Sequence, residues 1–318
     1  MKDKNKSLVL SYSDIKEMKL SIKNIIDEIK STVVKHANNE VYLEPKITLR
    51  PREGQFYTAM PGGIKDEYLG LKLIERFDKS ENTPGIFGTL LLNDEKTGKL
   101  LSIMDATWLT SIRTGAIAAI TMEKLAQKGF DSISIIGLGN TAMASLICIK
   151  EIFPDLKKIN ILAYKDAHNR FMKRFEGYDF EFNVYEDLES VIKASKVVIT
   201  SVTYAGKPFV KKEWLQDGVL AIPIHARGWQ ECDPYFDKVY TDDYGHTKHF
   251  IPNLTAELGE VVAGYKKGRE SDAEKIIAYN IGMAIDDIAV AKLIYKKALI
   301  EKKGVYIDIA DYNEEYYV

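Results

Sequence analysis

Gly137-x-Gly139-x-x-Ala142 is the part of this 318-residue chain whose spacing most directly implies chemistry. A β-branched run, Ile133 to Ile136, leads into it, and a helical segment, Met143 to Ile152, leads out. A strand, a tight glycine turn and a helix N-terminus in that order make a dinucleotide site. Gly137 permits the turn, Gly139 lets the backbone approach a pyrophosphate, and Ala142 lets the helix lie close on the strand. The free N–H groups of the helix, beginning at Asn140 and Thr141, and its dipole then hold phosphate charge.

The end of the following strand bears on the choice of dinucleotide. It reads Ala163-Tyr164-Lys165-Asp166, with His168 and Arg170 close behind. NAD enzymes carry an acidic residue at this strand end for the adenosine ribose, and NADP enzymes carry a cation for the 2′-phosphate. Lys165 takes the last strand position, and the cations Lys165, His168 and Arg170 favour NADP(H) over NAD(H). Asp166 stands one residue late. Moved by one position it becomes the NAD ribose ligand; otherwise it is an ordinary acid at a helix start.

Two cations elsewhere have the setting of a substrate site. Arg113, in Thr110-Ser-Ile-Arg113-Thr-Gly115-Ala, has Leu109, Ala116 and Ile117 as helix-face neighbours. A guanidinium among apolar side chains is costly unless it meets an anion, and its fork suits a carboxylate. A buried structural ion pair is the alternative. Lys72, in Leu69-Gly-Leu-Lys72-Leu-Ile, interrupts an apolar strand. Such a lysine either snorkels to the surface or stays desolvated and suited to proton transfer.

The elements that must position these residues are legible from periodicity. From Ser132 the chain alternates strand 132–136 with helix 141–152, strand 158–164 with helix 167–175, and strand 180–185 with helix 188–194. Strand 196–202, a short helix over 211–215, and strands 219–224 and 238–241 follow. This alternation predicts an α/β protein with a Rossmann-type, doubly wound parallel sheet. Residues 1–110 read as an α+β module: a helix over 13–35, then strands at 46–49, 55–59, 69–74 and 86–92. The segment Asn93-Asp-Glu-Lys-Thr-Gly98 reads as a hairpin turn. One long helix is expected over 105–128, with Asp105 as N-cap and Gly129 as its stop, and another over 273–297.

Composition narrows the classes. Hydrophobic residues at 46% and charged residues at 28% describe a packed core rather than a disordered chain. A net charge of −2 gives no electrostatic reason to expect nucleic acid or an anionic membrane, and no run reaches the length of a membrane span. Cys148 and Cys232 lie far apart and form no metal-ligand cluster. So few cysteines, and a charged start with no apolar run behind it, lead to the expectation of a cytoplasmic protein.

Together, Met60-Pro-Gly, Gly70-Leu-Lys72, Asp105-Ala-Thr with Arg113-Thr-Gly-Ala, Gly137-x-Gly139-x-x-Ala142, Glu213-Trp-Leu and Glu257-Leu-Gly-Glu-Val-Val-Ala-Gly264 resemble the ornithine cyclodeaminase/μ-crystallin family. The resemblance covers nearly the whole chain. It implies a homodimer whose substrate-binding and dimerisation domain is residues 1–112, completed by 290–318, and whose Rossmann domain is 113–289. It implies work on the C–N bond beside the carboxylate of a small amino or imino acid. Residue by residue, Arg113 resembles the family's carboxylate-binding arginine and Lys72 its catalytic lysine. Lys46 stands where the family commonly has a second carboxylate-binding arginine, and keeps the charge without the fork. Ser201 and Thr203 resemble residues bordering the nicotinamide ribose, and Asn280 and Gly282 the late element near the nicotinamide. Thr114 completes the expected cofactor set.

The chain departs from the cyclodeaminases at one position. They carry an aspartate just after the strand that here ends at Ile224, and this chain has His225. A histidine can still exchange a proton near neutral pH, but it cannot replace a carboxylate opposite an ammonium group. Arg227 beside it can bind a second acidic group, and Trp229 is equally a packing residue. His246 and His249 share a segment with Asp242 and Asp243, read as a solvated loop, and no metal is expected. The expectation is an NAD(P)-dependent imine reductase or amino-acid dehydrogenase, with Lys72 or His225 handling the proton on nitrogen. The alternatives are a redox-neutral cyclodeaminase and a nucleotide-dependent ligand-binding protein like μ-crystallin.

Overall fold

The computed structural model describes residues 6–79, 85–202, 207–224, 228–251 and 253–309. In chain order it begins with β1 (Ser7–Leu10), α1 (Tyr12–Glu17), α2 (Ile22–Ala37), β2 (Val41–Leu43) and β3 (Ile47–Leu49). Next come β4 (Phe56–Ile64), β5 (Tyr68–Arg76), β6 (Ile86–Asp94), β7 (Leu100–Asp105) and α3 (Thr107–Leu125). The alternating part is β8 (Ser132–Ile136), α4 (Asn140–Ile152), β9 (Lys158–Leu162), α5 (Ala167–Lys173), β10 (Glu181–Tyr185), α6 (Leu188–Lys193), β11 (Val197–Thr200) and β12 (Leu220–Pro223). It closes with β13 (Lys238–Thr241), α7 (Tyr244–Thr247), β14 (Ala256–Glu257), α8 (Leu258–Val262), β15 (Ile276–Tyr279), α9 (Ala284–Glu301) and β16 (Val305–Ile307). The chain divides into two compact units, Met1–Ser21 with Asn39–Thr110 and Ala284–Val318, and Ile22–Asn38 with Ser111–Met283.

The first unit is built on a sheet of order β16-β1-β7-β6-β5-β4-β2, with β3 also on β4. The long strands β4 to β7 run antiparallel, as their connecting turns require. Register aligns Leu10, Met104, Leu90, Lys72 and Met60 in one row across the sheet, and every member is buried. The neighbouring row, Ile103, Leu91, Leu71 and Pro61, points to the other face and is half-buried. The ion pairs Lys72–Asp287 and Lys292–Glu67 tie the 18-residue helix α9 to this sheet.

The second unit is an α/β fold around an all-parallel sheet of order β10-β9-β8-β11-β12-β15-β13-β14. The chain works outward from β8 through β9 to β10, then returns to β11 on the other side. That reversal is the topological switch point of a doubly wound sheet, where ligands bind beyond the strand carboxyl ends. Its central strands β8, β11 and β12 are buried at every position and mostly apolar, as a sheet covered on both faces demands.

Several elements differ from expectation. The helix expected over 13–35 is α1 and α2, broken at Lys19, whose φ is +46°. Each half buries its own stripe: Ile15 in α1, and Ile25, Ile26, Ile29 and Val33 in α2. The helix expected from Asp105 begins at Thr107; Asp105 ends β7, and its carboxylate accepts from the Thr107 backbone N–H at 3.0 Å. That helix also stops at Leu125, before Gly129. The helix expected over 273–297 is a strand, a loop and the later helix α9. Ile276, Ile277, Ala278 and Tyr279 are all buried because β15 lies inside the sheet between β12 and β13. A short apolar run of that kind has no period to separate strand from helix.

Candidate active site

The glycine turn folds as its spacing demands. Gly137 sits at φ +90°, and a side-chain carbon there would come within 2.7 Å of the Ser201 carbonyl group. The close approach is held by the Ser201 backbone N–H donating to Ile136 and its hydroxyl donating to the Gly137 carbonyl at 2.7 Å. Ser201, expected beside a ribose, therefore also locks the turn. Gly139 is the N-cap of α4, and no side chain caps that terminus. The first intrahelical bond runs from Met143 to Gly139, so the N–H groups of Asn140, Thr141 and Ala142 have no partner within the helix. Nothing lies within 4 Å of where a Gly139 side chain would project. Uncapped donors under open space fit the pyrophosphate of a dinucleotide.

Beside this turn a groove of about 140 Å³ is lined by Gly139, Asn140, Met143, Arg170 and Arg174 among others. Arg174 was not singled out from the sequence; it reaches the groove from the residue that caps α5, and donates to the Met143 sulfur. Lys165 is not the last strand residue. The strand ends at Leu162, and Lys165 lies exposed in the turn at φ +48°. Asp166 caps α5 and is exposed. It accepts from Asn169 at 3.0 Å and from Arg170 at 2.9 Å, which together with the nearby His168 hold its carboxyl below the usual range. Arg170, expected as a phosphate cation, is thus engaged with Asp166.

Arg113 is 5% exposed, and Leu109, Ala116 and Ile117 around it are buried. Its guanidinium lies directly on Gly282, where a side-chain carbon would come within 1.9 Å of an Arg113 nitrogen. Gly282 adopts φ +84°, and its amide donates to the buried carboxylate of Asp242. Asn280 exchanges hydrogen bonds with Thr121 on α3, and its backbone donates to Pro223. The expected pair Asn280 and Gly282 therefore shapes the surroundings of Arg113. Thr114, next on α3, is also buried.

In the first unit Lys72 does not snorkel. It is 1% exposed, and its Nζ lies 2.6 Å from an oxygen of Asp287, which is fully buried on α9. Lys46 is half-buried just before β3. Thr203, His225 and Arg227 lie outside the described residues. Trp229 is fully buried and donates from its indole to Thr200, so packing accounts for it.

The segment read as a solvated loop is not one. Asp242 and Asp243 are buried, and the His246 side chain is 8% exposed. His246 folds onto Asp243, whose cap position at α7 turns the imidazole back over the carboxylate. Only His249 of that group is exposed. His36 on α2 places Nε2 at 3.5 Å from Asp243 and Nδ1 at 3.9 Å from Glu257. The ligand atoms of His36, Asp243 and Glu257 lie within 4.8 Å of one another, a grouping sequence reading missed because three distant segments build it. Burial pushes the Asp243 carboxyl up, but hydrogen bonds from His246 and His36 outweigh it and hold it below the usual range. Burial raises Glu257. Asp287 had a legible signal, an acidic pair followed directly by the apolar run Ile288 to Ala291.

A profile of the ornithine cyclodeaminase/mu-crystallin family matches residues 5–302. Alanine dehydrogenase of Archaeoglobus fulgidus is 30% identical over 94% of this chain and 97% of that protein. Among solved structures, Thermococcus litoralis Delta(1)-pyrroline-2-carboxylate reductase, in complex with NADH and L-proline, superposes with a TM-score of 0.86. That match is 26% identical and covers 94% of this chain and 100% of the other. An archaeal alanine dehydrogenase dimer with bound NAD also gives a TM-score of 0.86, at 27% identity over 96% of this chain and 100% of that one.

Proposed function

The chain belongs to the ornithine cyclodeaminase/mu-crystallin family, and from that premise we infer that it is an NAD(P)-dependent oxidoreductase of the imine-reductase and amino-acid-dehydrogenase type. Its substrate is a small amino acid or cyclic imino acid, and the reaction falls on the C–N bond beside the carboxylate. One observation carries this reading: the Gly137 turn and uncapped α4, in a chain related end to end to an alanine dehydrogenase.

A bound nicotinamide supplies or accepts the hydride. The chain's own residues orient and charge the substrate. Arg113, held by Gly282 and surrounded by apolar side chains, binds the substrate carboxylate through its fork. Lys46 adds a second positive charge. Lys72 delivers a proton to the substrate nitrogen in the reductive direction and receives it in the oxidative one.

NADP(H) is the preferred dinucleotide in this reading. The support is the guanidinium of Arg174 lining the groove beside Gly139, with Arg170, exposed in its pair with Asp166, on the same groove and free to exchange that partner for a phosphate. A homodimer is part of the same reading. Its support is the half-buried apolar row Ile103, Leu91, Leu71 and Pro61 on the sheet face opposite α9.

The test is a panel of cyclic imines, 2-oxo acids with ammonia, and amino acids, each run with NADPH and with NADH. Loss of reduced-nicotinamide absorbance with an imine supports the reading, and a higher kcat/KM for NADPH supports the dinucleotide preference. Ammonia release from a diamino acid without net absorbance change identifies a cyclodeaminase instead. No turnover across the panel, with nucleotide bound, identifies a ligand-binding protein.

A further inference from the structure

We propose that Asp287 is a positioning residue that fixes the Lys72 ammonium for proton transfer. The proposal rests on the reading above, in which Lys72 carries the proton.

The surroundings of Lys72 are the starting point. Its row on the sheet is Leu10, Met104, Leu90 and Met60, all buried. The strands on either side therefore offer apolar side chains at its register: Met60 from β4 and Leu90 from β6. A charge in such a row is costly without a counter-charge. That counter-charge comes from α9, where Asp287 approaches to 2.6 Å and Asp286, also fully buried, precedes it in sequence. Both acids lie in the first turn of an 18-residue helix, where the dipole favours negative charge.

Stability alone is a poor reason for this pair. A buried ion pair replaced by apolar residues of similar volume is often neutral or stabilising, because desolvation offsets the attraction. A lysine in an apolar sheet row, paired at 2.6 Å with an equally buried aspartate from α9, is better explained by use of the charge. The carboxylate restrains Nζ at the end of a flexible four-carbon stem and stabilises its charged form. Lys72 thus begins each reductive turnover as a placed proton donor.

The experiment compares Lys72→Met, Asp287→Asn, Asp287→Glu and the double variant Lys72→Met/Asp287→Asn. Each is measured for thermal unfolding, NADPH binding by fluorescence, and kcat and KM across pH with the best imine of the panel. Lys72→Met is expected to lower kcat by ~100-fold or more, the usual worth of a placed proton donor. Asp287→Asn is expected to lower kcat at least ~10-fold with KM and NADPH affinity nearly unchanged, and to move the alkaline limb of kcat to lower pH. Asp287→Glu keeps the charge but displaces it, so kcat falls while the limb stays. The double variant unfolds no earlier than either single one.

An active Lys72→Met overturns the catalytic reading of Lys72 and the positioning role with it. An inactive Lys72→Met beside an Asp287→Asn of ordinary kcat and pH profile overturns the positioning role alone. If Asp287→Asn does not fold, Asp287→Glu decides: unchanged kcat overturns the proposal.

Discussion

Gly282→Ala is the perturbation that addresses Arg113 without touching its charge. The added carbon would start 1.9 Å from an Arg113 nitrogen, and ordinary contact begins near 3.4 Å, so the guanidinium must retreat by about 1.5 Å. Alanine at φ +84° adds a backbone cost of about 1–2 kcal/mol. For a domain of this size that cost lowers Tm by about 2–8 °C. Displacement of a substrate-positioning group by about 1 Å costs on the order of 100-fold in rate. The expected result is a folded protein whose kcat/KM for the amino or imino acid falls by about two orders of magnitude. Differential scanning fluorimetry and steady-state kinetics read these quantities on one sample. A folded Gly282→Ala with unchanged KM and kcat would mean that the Arg113 position does not matter to substrate, and the carboxylate role would be wrong.

Gly139→Val probes the open space above the turn. The backbone there is extended, so the fold loses at most about 1 kcal/mol of cap preference, while NADPH affinity should drop at least ~10-fold. Unchanged nucleotide affinity would place the pyrophosphate elsewhere. Asp233 gives a pH test. Burial raises its carboxyl from 3.8 to about 6, against the opposing hydrogen bond from Tyr279. The folded protein therefore holds this proton more tightly than the unfolded chain, so the associated stability is present below pH 3.8 and is lost as pH rises to about 6. Asp233→Asn stays uncharged, so its Tm relative to the native protein should climb across that interval and then level off. A constant Tm difference from pH 4 to 7 would remove the basis for this assignment.

What the sequence made legible follows from which interactions are local. Gly137, Gly139 and Ala142 sit within one strand–turn–helix unit, so spacing alone placed them. Arg113 was recognisable because its helix-face neighbours lie within four residues, yet its seat on Gly282 was not, since that contact joins distant parts of the second unit. Lys72 left two outcomes open until α9 supplied Asp287 from 215 positions away. The segment of β15 resembles a helix in sequence because a fully buried strand loses the alternation that identifies a half-buried one. The cluster of His36, Asp243 and Glu257 was invisible for the same reason as the Asp287 pair: its members come from α2, the start of α7 and the start of α8.

In the proposed reaction hydride moves between nicotinamide C4 and the carbon bearing nitrogen. NADPH carrying deuterium at C4, prepared as each of its two stereoisomers, tests it directly. Mass spectrometry of the amino acid formed from a cyclic imine should find one deuterium on the α-carbon from one stereoisomer and none from the other. An α-carbon free of deuterium with both, alongside product formation, would contradict hydride transfer to the C–N carbon.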